Sequence, residues 1–406
     1  MSLERPDLSG VPQEVLDYIE ALETQVASKR RKSSRARKEE NEVIDVPMEL
    51  SEPPTTVQLI TITASGVAKR TARHHYTRQR RGGMGVFDIE ADPDDPPKFL
   101  IPAEIDAGLV LVTSHARAFH LSVESIIETD VRGKGESILA QFPLREDETL
   151  SLIFPDKAFD YQGGSHLALV SKRGQVRRIG AQYLSRNLKP GTVLYDVKNG
   201  GAPAAACWTT GGIDDIFIAT RKGKGIRFAE KQVPMRGCLG MRVDPSDEVV
   251  GIACVPDDGG LFMVNSDGKG TVRLMSKFTA NKSPGAGGKI AMKTDSLVGL
   301  YTVIPGVESK DDAFVISELG KIIRFQTAEV PAKEGVVQGV NCMALRGDTS
   351  AAMTVSRVIA APVDEVEDLF SADDGDDDSA IAPVGVIEDS VDDDAETLDD
   401  LDFDAL

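Results

Sequence analysis

The stretch "LALVSKRGQVRRIG", residues 167–180, has the pattern of a β-hairpin. A short apolar run leads into a polar turn that holds Gly174, and a second short run follows. Two short strands around a glycine-containing turn are typical of β-hairpins. Five other segments repeat this pattern: "LITITASGVAKRT" (59–71), "LVLVTSHARAFHLS" (109–122), "IFIATRKGKGIRFAE" (216–230), "LFMVNSDGKGTVRLMS" (261–276) and "AFVISELGKIIRFQT" (313–327).

The six hairpins recur at a nearly constant spacing. Matching their second strands aligns Lys69, Ala118, Arg177, Arg227, Arg273 and Arg324, at intervals of 49, 59, 50, 46 and 51 residues. Further short apolar runs lie between the hairpins, enough to bring each repeat to about four strands. A period near 50 residues with strands only predicts an all-β fold, a propeller-like ring of six blades over residues 55–358.

Glycine is expected at the hairpin turns because it adopts positive φ angles without steric cost. The turn glycines are Gly66, Gly174, Gly223, Gly268 and Gly320. The second hairpin has His115 and Ala116 in place of glycine, so its turn type stays open.

The hairpins are rich in bases. Five of the six aligned positions hold Lys or Arg, and in the second hairpin the base shifts by one residue, to Arg117. Exposed hairpin tips are often polar simply to prevent aggregation, but that explanation predicts mixed charges, and acids are few. We therefore expect a basic rim that binds a polyanion. The candidate residues are Lys69, Arg70, Arg117, Lys172, Arg173, Arg177, Arg178, Arg221, Lys222, Lys224, Arg227, Lys269, Arg273, Lys321 and Arg324.

The net charge of -19 is carried by one end of the chain. Residues 364–406 hold 19 acids and no base, which leaves 46 acids against 46 bases elsewhere. Segments of such dense like charge cannot bury enough apolar surface to fold, so we expect a disordered tail that competes for the basic rim. Residues 1–50 are expected to form a helical and basic arm, in which the helix packs on its own domain or docks a partner.

Several classes of function are disfavoured by the sequence. The start of the chain has no apolar segment of a signal peptide, and no apolar run approaches a membrane span. The four cysteines are scattered and His74 and His75 are adjacent, so buried thiols are favoured over a zinc site or disulfides. We therefore expect a cytoplasmic protein with no metal or other cofactor and no membrane partner.

One glycine-rich segment carries a family resemblance. "QRRGGMG", residues 79–85, resembles the gyrase box Q-R-R-G-G-x-G in the C-terminal domain of the gyrase A protein of bacteria, and Arg78 precedes it. Related glycine-rich segments occur later, in "PMRGCLGMRV" (234–243), "KSPGAGGKIAM" (282–292) and "KEGVVQGVNCM" (333–343). The resemblance covers about residues 55–358. It implies a six-bladed β-pinwheel whose blades exchange strands and whose perimeter wraps duplex DNA largely without regard to sequence.

The same resemblance assigns box residues and sets one limit. It implies that Gln79, Arg80, Arg81, Gly82, Gly83 and Gly85 bind DNA, while Met84 departs from the lysine that is frequent there, so wrapping would be weaker. The family's DNA cleavage region, with its catalytic tyrosine, has no counterpart in these residues. The resemblance therefore implies a DNA-wrapping, nucleoid-associated protein that is not an enzyme by itself. The alternatives are an accessory component of a separately encoded type II topoisomerase and, less favoured, a protein-interaction propeller.

Overall fold

The computed structural model describes residues 52–90, 92, 94–156, 166–184, 188–209, 211–212, 215–305 and 310–357. Almost all of the regular structure in these residues is β-strand. The predicted arm (1–50) and acidic tail (364–406) lie outside the described residues. Those two predictions and the domain limits therefore stay predictions.

The strands are short and follow one another along the chain. They are β1 (Val57–Thr63), β2 (Val67–Ala72), β3 (Val86–Phe87), β4 (Pro97–Glu104), β5 (Gly108–Thr113), β6 (Arg117–Ser122), β7 (Glu136–Ser137), β8 (Leu150–Pro155), β9 (His166–Ser171), β10 (Gln175–Gly180), β11 (Thr192–Val193), β12 (Pro203–Thr209), β13 (Asp215–Thr220), β14 (Lys224–Ala229), β15 (Cys238–Leu239), β16 (Val249–Val255), β17 (Gly260–Asn265), β18 (Lys269–Leu274), β19 (Lys289–Ile290), β20 (Leu297–Val303), β21 (Asp312–Ser317), β22 (Lys321–Gln326), β23 (Ala332–Lys333), β24 (Val340–Asn341) and β25 (Ser350–Ser356). The α-helix α1 has four residues (Val197–Gly200), and 3₁₀ turns lie at Arg73–His75, Val123–Ser125, Leu139–Gln141, Ala181–Tyr183, Glu230–Gln232 and Thr327–Glu329.

The described strands form six sheets, one for each predicted blade. In blades 1 to 4 the orders from inner to outer strand are β4-β1-β2-β7, β8-β5-β6-β11, β12-β9-β10-β15 and β16-β13-β14-β19. Blade 5 is β20-β17-β18 with both β23 and β24 on β18, and blade 6 is β25-β21-β22-β3. The predicted six-bladed β-pinwheel is confirmed.

All six hairpin turns share one backbone conformation. The five predicted turn glycines have φ between +70° and +89°, and Ala116 takes the same place in the second hairpin with φ +56°. A left-handed conformation costs a residue with a Cβ about 1–2 kcal/mol. The turn that the sequence left open is therefore built like the others, at some cost in stability.

The outermost strand of each blade comes from a neighbouring repeat. After each hairpin the chain crosses to the previous blade and adds a two-residue strand to its edge; for example, β7 follows the hairpin of blade 2 but pairs with β2 of blade 1. We call these crossing segments straps 1 to 6; their described residues are 77–87, 126–137, 184 with 188–193, 233–239, 279–290 and 330–341. Strap 1 closes the ring, because its strand β3 pairs with β22 of blade 6.

The hydrophobic core is divided among the seams between blades. Each of the six buried clusters joins two neighbouring blades; one packs Ile60 and Ile101 of blade 1 against Leu109 and Leu121 of blade 2. The inner strands contact one another in a closed circle around a central channel. The described part of the chain has no helix long and apolar enough to cross a membrane.

Candidate nucleic-acid interface

The strand register separates the repeated bases into two sets. Arg70, Arg178, Arg227 and Arg324 occupy the fourth position of the second hairpin strand, where His120 and Val272 stand in blades 2 and 5. Lys69 and Arg177 lie at the third position, Ala118 at the second and Arg273 at the fifth. The alignment proposed from the sequence was wrong at these four residues, because hairpin spacing varies by a few residues and does not reveal cross-strand pairing.

The fourth-position arginines, which we call the seam arginines, fasten each blade to the next. Arg70 Nε donates to the Ile126 carbonyl at 2.9 Å, and Arg178 Nε donates to the Val233 carbonyl at 2.7 Å. Arg227 Nη1 reaches the Met275 carbonyl at 2.8 Å, and Arg324 Nη1 reaches the Tyr76 carbonyl at 3.0 Å. Every acceptor lies in the turn that follows the neighbouring hairpin.

The seam arginines are buried or nearly so. Arg227 and Arg324 are 4% and 2% exposed, and Arg70 is 9% exposed. Arg227 also pairs with Asp215 at 2.7 Å, and Arg178 pairs with buried Glu230 at 3.4 Å. A buried guanidinium that is committed to carbonyl and carboxylate acceptors cannot also grip a phosphate from solvent. We therefore revise the sequence-based expectation and assign the seam arginines to blade packing.

Four other predicted DNA-binding bases are buried or committed within the protein. Lys69 is fully buried and pairs with buried Asp88 at 2.8 Å. Arg78 is 5% exposed and pairs with Asp312 at 2.9 Å. Arg273 is 7% exposed beside Phe278, and burial lowers its pKa. Half-buried Arg177 donates to the carbonyls of Leu194 and Met235.

The seam between blades 6 and 1 holds the densest cluster of charge. Glu52, which precedes blade 1, accepts from Arg73 at 2.9 Å and from Arg324 at 2.7 Å. Asp312 of blade 6, which is fully buried, accepts from both Arg324 and Arg78. Burial alone would raise the pKa of Glu52, but hydrogen bonds from Arg324 and Arg73 outweigh burial and hold this pKa below its ordinary value. The junction that closes the ring is thus ionic as well as apolar.

The bases at the hairpin tips are exposed, and two of the four, Lys172 and Arg221, pair with an acid. Glu248 accepts from Lys172 at 3.1 Å and from Arg221. Burial would raise the pKa of Glu248, but the hydrogen bonds from these two bases hold it below its ordinary value. Lys222 donates to Ser246 at 2.7 Å. Arg173 is exposed, and no acid lies within ion-pair distance of it among the described residues. The tips therefore offer less uncompensated charge than the sequence suggests.

A different repeat of bases lies on the outer edge of the ring. The first residue of each second hairpin strand pairs across the sheet with the last residue of the outer strand. We call these the edge pairs: Val67–Ser137, Arg117–Val193, Gln175–Leu239, Lys224–Ile290, Lys269–Asn341 and Lys321–Phe87, in blades 1 to 6. Four of the six hold a base that was predicted from the sequence to bind DNA.

The four edge bases are half-buried and differ in their partners. Arg117 pairs with buried Glu148 at 2.6 Å, and Lys224 pairs with exposed Asp244 at 2.6 Å. Lys321 lies 5.4 Å from the centre of the Phe87 ring. Lys269 and Lys321 have no acid within ion-pair distance in the described part of the chain, so their charge is available to a ligand.

The straps add bases that were not among the sequence-based candidates. Arg132, Lys134, Lys189, Arg236, Lys282 and Lys289 are exposed on the straps, and Lys333 is half-buried there. A sequence signal for the straps does exist, because a glycine stands directly before the last strand of every strap: Gly85, Gly135, Gly191, Gly237, Gly288 and Gly339. The glycine-rich segments noted after the fourth, fifth and sixth hairpins are straps 4, 5 and 6.

The gyrase-box segment, residues 79–85, forms most of strap 1. Its glycines let the strap lie flat on blade 6: Gly85 has φ +70°, and a Cβ there would come within 2.4 Å of the Ile322 carbonyl oxygen. The Gln79 amide donates to the Arg324 carbonyl at 2.8 Å, and the Gly82 amide donates to the Cys342 carbonyl at 2.7 Å. The box therefore spans the closing seam.

The two box arginines have different surroundings. Half-buried Arg81 donates through Nε to the Glu329 carbonyl at 2.7 Å and through Nη1 to the Asn341 carbonyl at 3.2 Å. Arg80 is exposed. Of the two bases predicted to bind phosphate, Arg80 is the one the structure leaves on the surface, and Arg81 anchors the strap.

Comparison with known proteins agrees with this architecture. The family described as "DNA gyrase C-terminal domain, beta-propeller" matches residues 58–95, 109–155, 214–256 and 311–333, which fall in blades 1, 2, 4 and 6. Among solved structures, that of the DNA gyrase A C-terminal domain superposes with a TM-score of 0.62 at 18% identity and covers 74% of this chain and 99% of that one. The C-terminal domain of DNA topoisomerase IV superposes with a TM-score of 0.51 at 15% identity, covering 76% and 95%.

Relatives matched by sequence include gyrase A proteins. The DNA gyrase A protein of Escherichia coli (strain K12) is 25% identical over 331 residues, which cover 79% of this chain and 37% of that protein. Its counterpart in Mycolicibacterium smegmatis is 24% identical over 406 residues, covering 93% and 46%. The chain thus spans less than half the length of these relatives.

Proposed function

We propose that this chain, a relative of the C-terminal β-propeller domain of DNA gyrase A, binds duplex DNA along the outer edge of its ring. The observation that carries the proposal is the repetition of accessible bases at one structural position. Lys224, Lys269 and Lys321 stand at equivalent edges of blades 4, 5 and 6, and exposed strap bases lie beside them. Arg117 has the same position in blade 2 but is bound to buried Glu148 and to the Pro143 carbonyl. A curved row of cations at regular intervals complements a curved polyanion.

Binding of this kind is mainly electrostatic. Lysines and arginines on a convex edge reach phosphates, while base edges in the grooves stay out of their range. The affinity therefore depends on salt and little on DNA sequence. Following a curved edge bends the duplex, which costs several kcal/mol over 20–30 base pairs, and contacts spread over several blades offset that cost.

A salt titration tests the proposal. The affinity of the full chain for a linear duplex, followed by fluorescence anisotropy, should fall steeply as salt rises. The triple variant Lys224→Ala, Lys269→Ala, Lys321→Ala should flatten the slope of log affinity against log salt by about two to three, since each lost phosphate contact removes about 0.9.

A matched control removes the same charge elsewhere. Lys198, Lys277 and Lys310 are exposed and belong to no edge pair. Their triple replacement by Ala should leave the slope within about one of the parent. Equal slopes for both triple variants would contradict the edge as the binding surface, and absence of duplex binding by the parent chain would contradict DNA binding itself.

Wrapping is a separate property from binding. A duplex that follows the ring edge is held in a curved path, so sealing a nicked plasmid in the presence of the chain should change its linking number. Replacing both Arg80 and Arg81 by Ala should abolish this change, because strap 1 closes the seam over which the path runs. A double variant that wraps as well as the parent would contradict the role of the box.

A second candidate is a role within a type II topoisomerase. It is favoured by the relatives, which are DNA gyrase A proteins matched over less than half their length. In that role the ring would not carry out cleavage but would present DNA to a cleavage module. Supercoiling by such a module stripped of its own ring should rise when this chain is added, and no stimulation would favour action on DNA alone.

A further inference from the structure

The outer edge carries exposed hydrophobic side chains as well as bases. Seven of the ten large exposed hydrophobic residues in the described part of the chain lie on the straps. They are Met84, Phe87, Val193, Met235, Leu239, Ile290 and Val336. Single exposed hydrophobic residues scattered on a surface are ordinary, but a concentration on one band of a protein marks an interaction site.

Four of these residues occupy one structural position. Phe87, Val193, Leu239 and Ile290 end the outer strands of blades 6, 2, 3 and 4, with exposed fractions of 52%, 61%, 36% and 54%. We call them the edge hydrophobics. Phe87, Val193 and Ile290 each face an edge base across the strand pair, namely Lys321, Arg117 and Lys224.

At one part of the edge, an exposed hydrophobic side chain and several lysines line the same groove. A groove of about 430 Å³ at the edges of blades 4 and 5 is lined by Ile290 together with Lys222, Lys269 and Lys293, and also by Asp267 and Asp295. Lysines that flank an apolar side chain match a surface on which phosphates alternate with apolar sugar faces. Such a surface is the backbone of DNA, whose sugars carry no 2′-hydroxyl group.

We propose that the edge hydrophobics contact the deoxyribose faces of the bound duplex, and that they make the ring prefer DNA over RNA. The inference rests on the proposed DNA binding and adds a contact that does not involve charge. Pressing a ribose against Phe87 or Ile290 would strip water from its 2′-hydroxyl without replacing the hydrogen bond, which is unfavourable. Contacts between apolar groups release no counterions, so their share of the affinity is independent of salt.

The test uses a natural reference within the chain. Ser137 occupies the same position in blade 1, so the edge position accepts serine. The triple variant Phe87→Ser, Leu239→Ser, Ile290→Ser should bind a DNA duplex about tenfold more weakly at every salt concentration, with an unchanged salt slope. Its affinity for an RNA duplex of the same sequence should stay within about twofold of the parent.

The control removes exposed hydrophobics away from the straps. Tyr183, Ile304 and Leu319 are 65%, 54% and 48% exposed. The variant Tyr183→Ser, Ile304→Ser, Leu319→Ser should bind DNA like the parent, with thermal unfolding measured for both triples to establish folding. Equal losses in the two triples, or parent-like DNA affinity in the edge triple while the parent binds, would overturn the inference.

Two further outcomes distinguish failure of the deoxyribose contact from failure of DNA binding itself. If the edge triple abolishes self-association of the parent in sedimentation without DNA, a second copy of the chain covers this band, and the inference is wrong. If the parent binds no duplex at all, the proposed function fails before the contact is tested.

Discussion

The seams and the outer edge of this ring each carry a base in four of the six blades, yet the two sets have different surroundings. Arg324, at the fourth position of β22, is 2% exposed and donates to the Tyr76 carbonyl and to Asp312. Lys321, three residues earlier in the same strand, lies half-buried against the exposed ring of Phe87. A base that repeats along the sequence therefore indicates a repeated structural position. Its register in the strand decides whether the base is bound within the protein or lies where a ligand can reach it.

The sharpest test of this contrast replaces the two bases of β22 separately. Arg324→Met should lower the free energy of unfolding by about 3–5 kcal/mol, because buried Asp312 and Glu52 each lose one of their arginine partners and the carbonyls of Arg73 and Tyr76 lose a donor. Lys321→Met should change it by less than about 0.5 kcal/mol. Denaturant titration with a constant m-value measures both.

The two variants should also differ in DNA binding, in the opposite order. Lys321→Met should reduce the salt slope of binding by about one, while Arg324→Met, assayed below its unfolding transition, should retain the parent slope. A reduced slope in Arg324→Met would mean that seam arginines reach phosphates, and the distinction between seam and edge would fall.

The closing seam should give stability a pH dependence. The pKa of Glu52 is lowered in the folded chain, so its contribution is present above the pKa of the unfolded state and disappears as pH falls through the lower folded value. Removing hydrogen bonds to charged partners by Glu52→Gln should cost about 1.5–3 kcal/mol near neutral pH. The difference between variant and parent should shrink below about pH 4.

A glutamate outside the seam provides the control for this measurement. Glu318 is exposed at the hairpin tip of blade 6. Glu318→Gln should leave the unfolding free energy nearly unchanged at either pH. A deficit in Glu52→Gln that persists undiminished at about pH 3 would show that the side chain acts by shape and not by charge.

The two adjacent arginines of the box also differ in their surroundings, since Arg81 is bound within the protein and Arg80 is exposed. Arg81→Ala should cost about 1 kcal/mol of stability, because the carbonyls of Glu329 and Asn341 lose a donor. Arg80→Ala, at an exposed position, should cost less stability than Arg81→Ala and should weaken duplex binding by a few-fold. Thermal unfolding and anisotropy on both single variants measure the difference; interchangeable effects would contradict the assignment of anchor and contact.

The smallest expected effect concerns blade 1, whose edge pair holds neither an edge base nor an edge hydrophobic. Its edge pair is Val67–Ser137, and strap 2 holds Glu128, Asp130 and Glu136 against the bases Arg132 and Lys134. The double variant Val67→Lys, Ser137→Phe should copy the edge pair of blade 6 and tighten DNA binding by about threefold, which is less than about 1 kcal/mol. Unchanged binding would place blade 1 outside the path of the duplex.

Much of the fold could be predicted because turn chemistry repeats. The glycines at the hairpin turns, such as Gly174 and Gly320, fix where each strand pair reverses, and the period of the hairpins predicts the number of blades. The strand exchange followed only from the family resemblance. In the sequence itself a strap strand of two residues, such as Val86–Phe87, is too short to show an alternating pattern.

Which bases are buried and which are accessible was predicted less well than the fold, because the sequence does not reveal strand register. Arg177 and Arg178 are adjacent, and adjacent side chains in a strand point to opposite faces of the sheet. A register error of one residue therefore assigns a seam arginine to the wrong face. Composition cannot distinguish Arg227, which ends among carbonyls of the next blade, from a solvated arginine. Bases do repeat from blade to blade, but the seam arginines among them are bound within the protein, and the role of the remaining bases in DNA binding stays a prediction.

The closure of the ring by strap 1 has a consequence for how the chain folds. Arg78 and Asp312, which meet at the closing seam, are 234 residues apart in sequence. During synthesis strap 1 emerges first and must wait for blade 6, so its glycine-rich backbone stays unpaired longest. Contacts of such sequence separation are slow to form, and we expect the last seam to be the late step in folding. Since Arg73 binds both Glu52 and the Arg357 carbonyl, joining these two ends and opening the chain at another seam would move the late step to that seam.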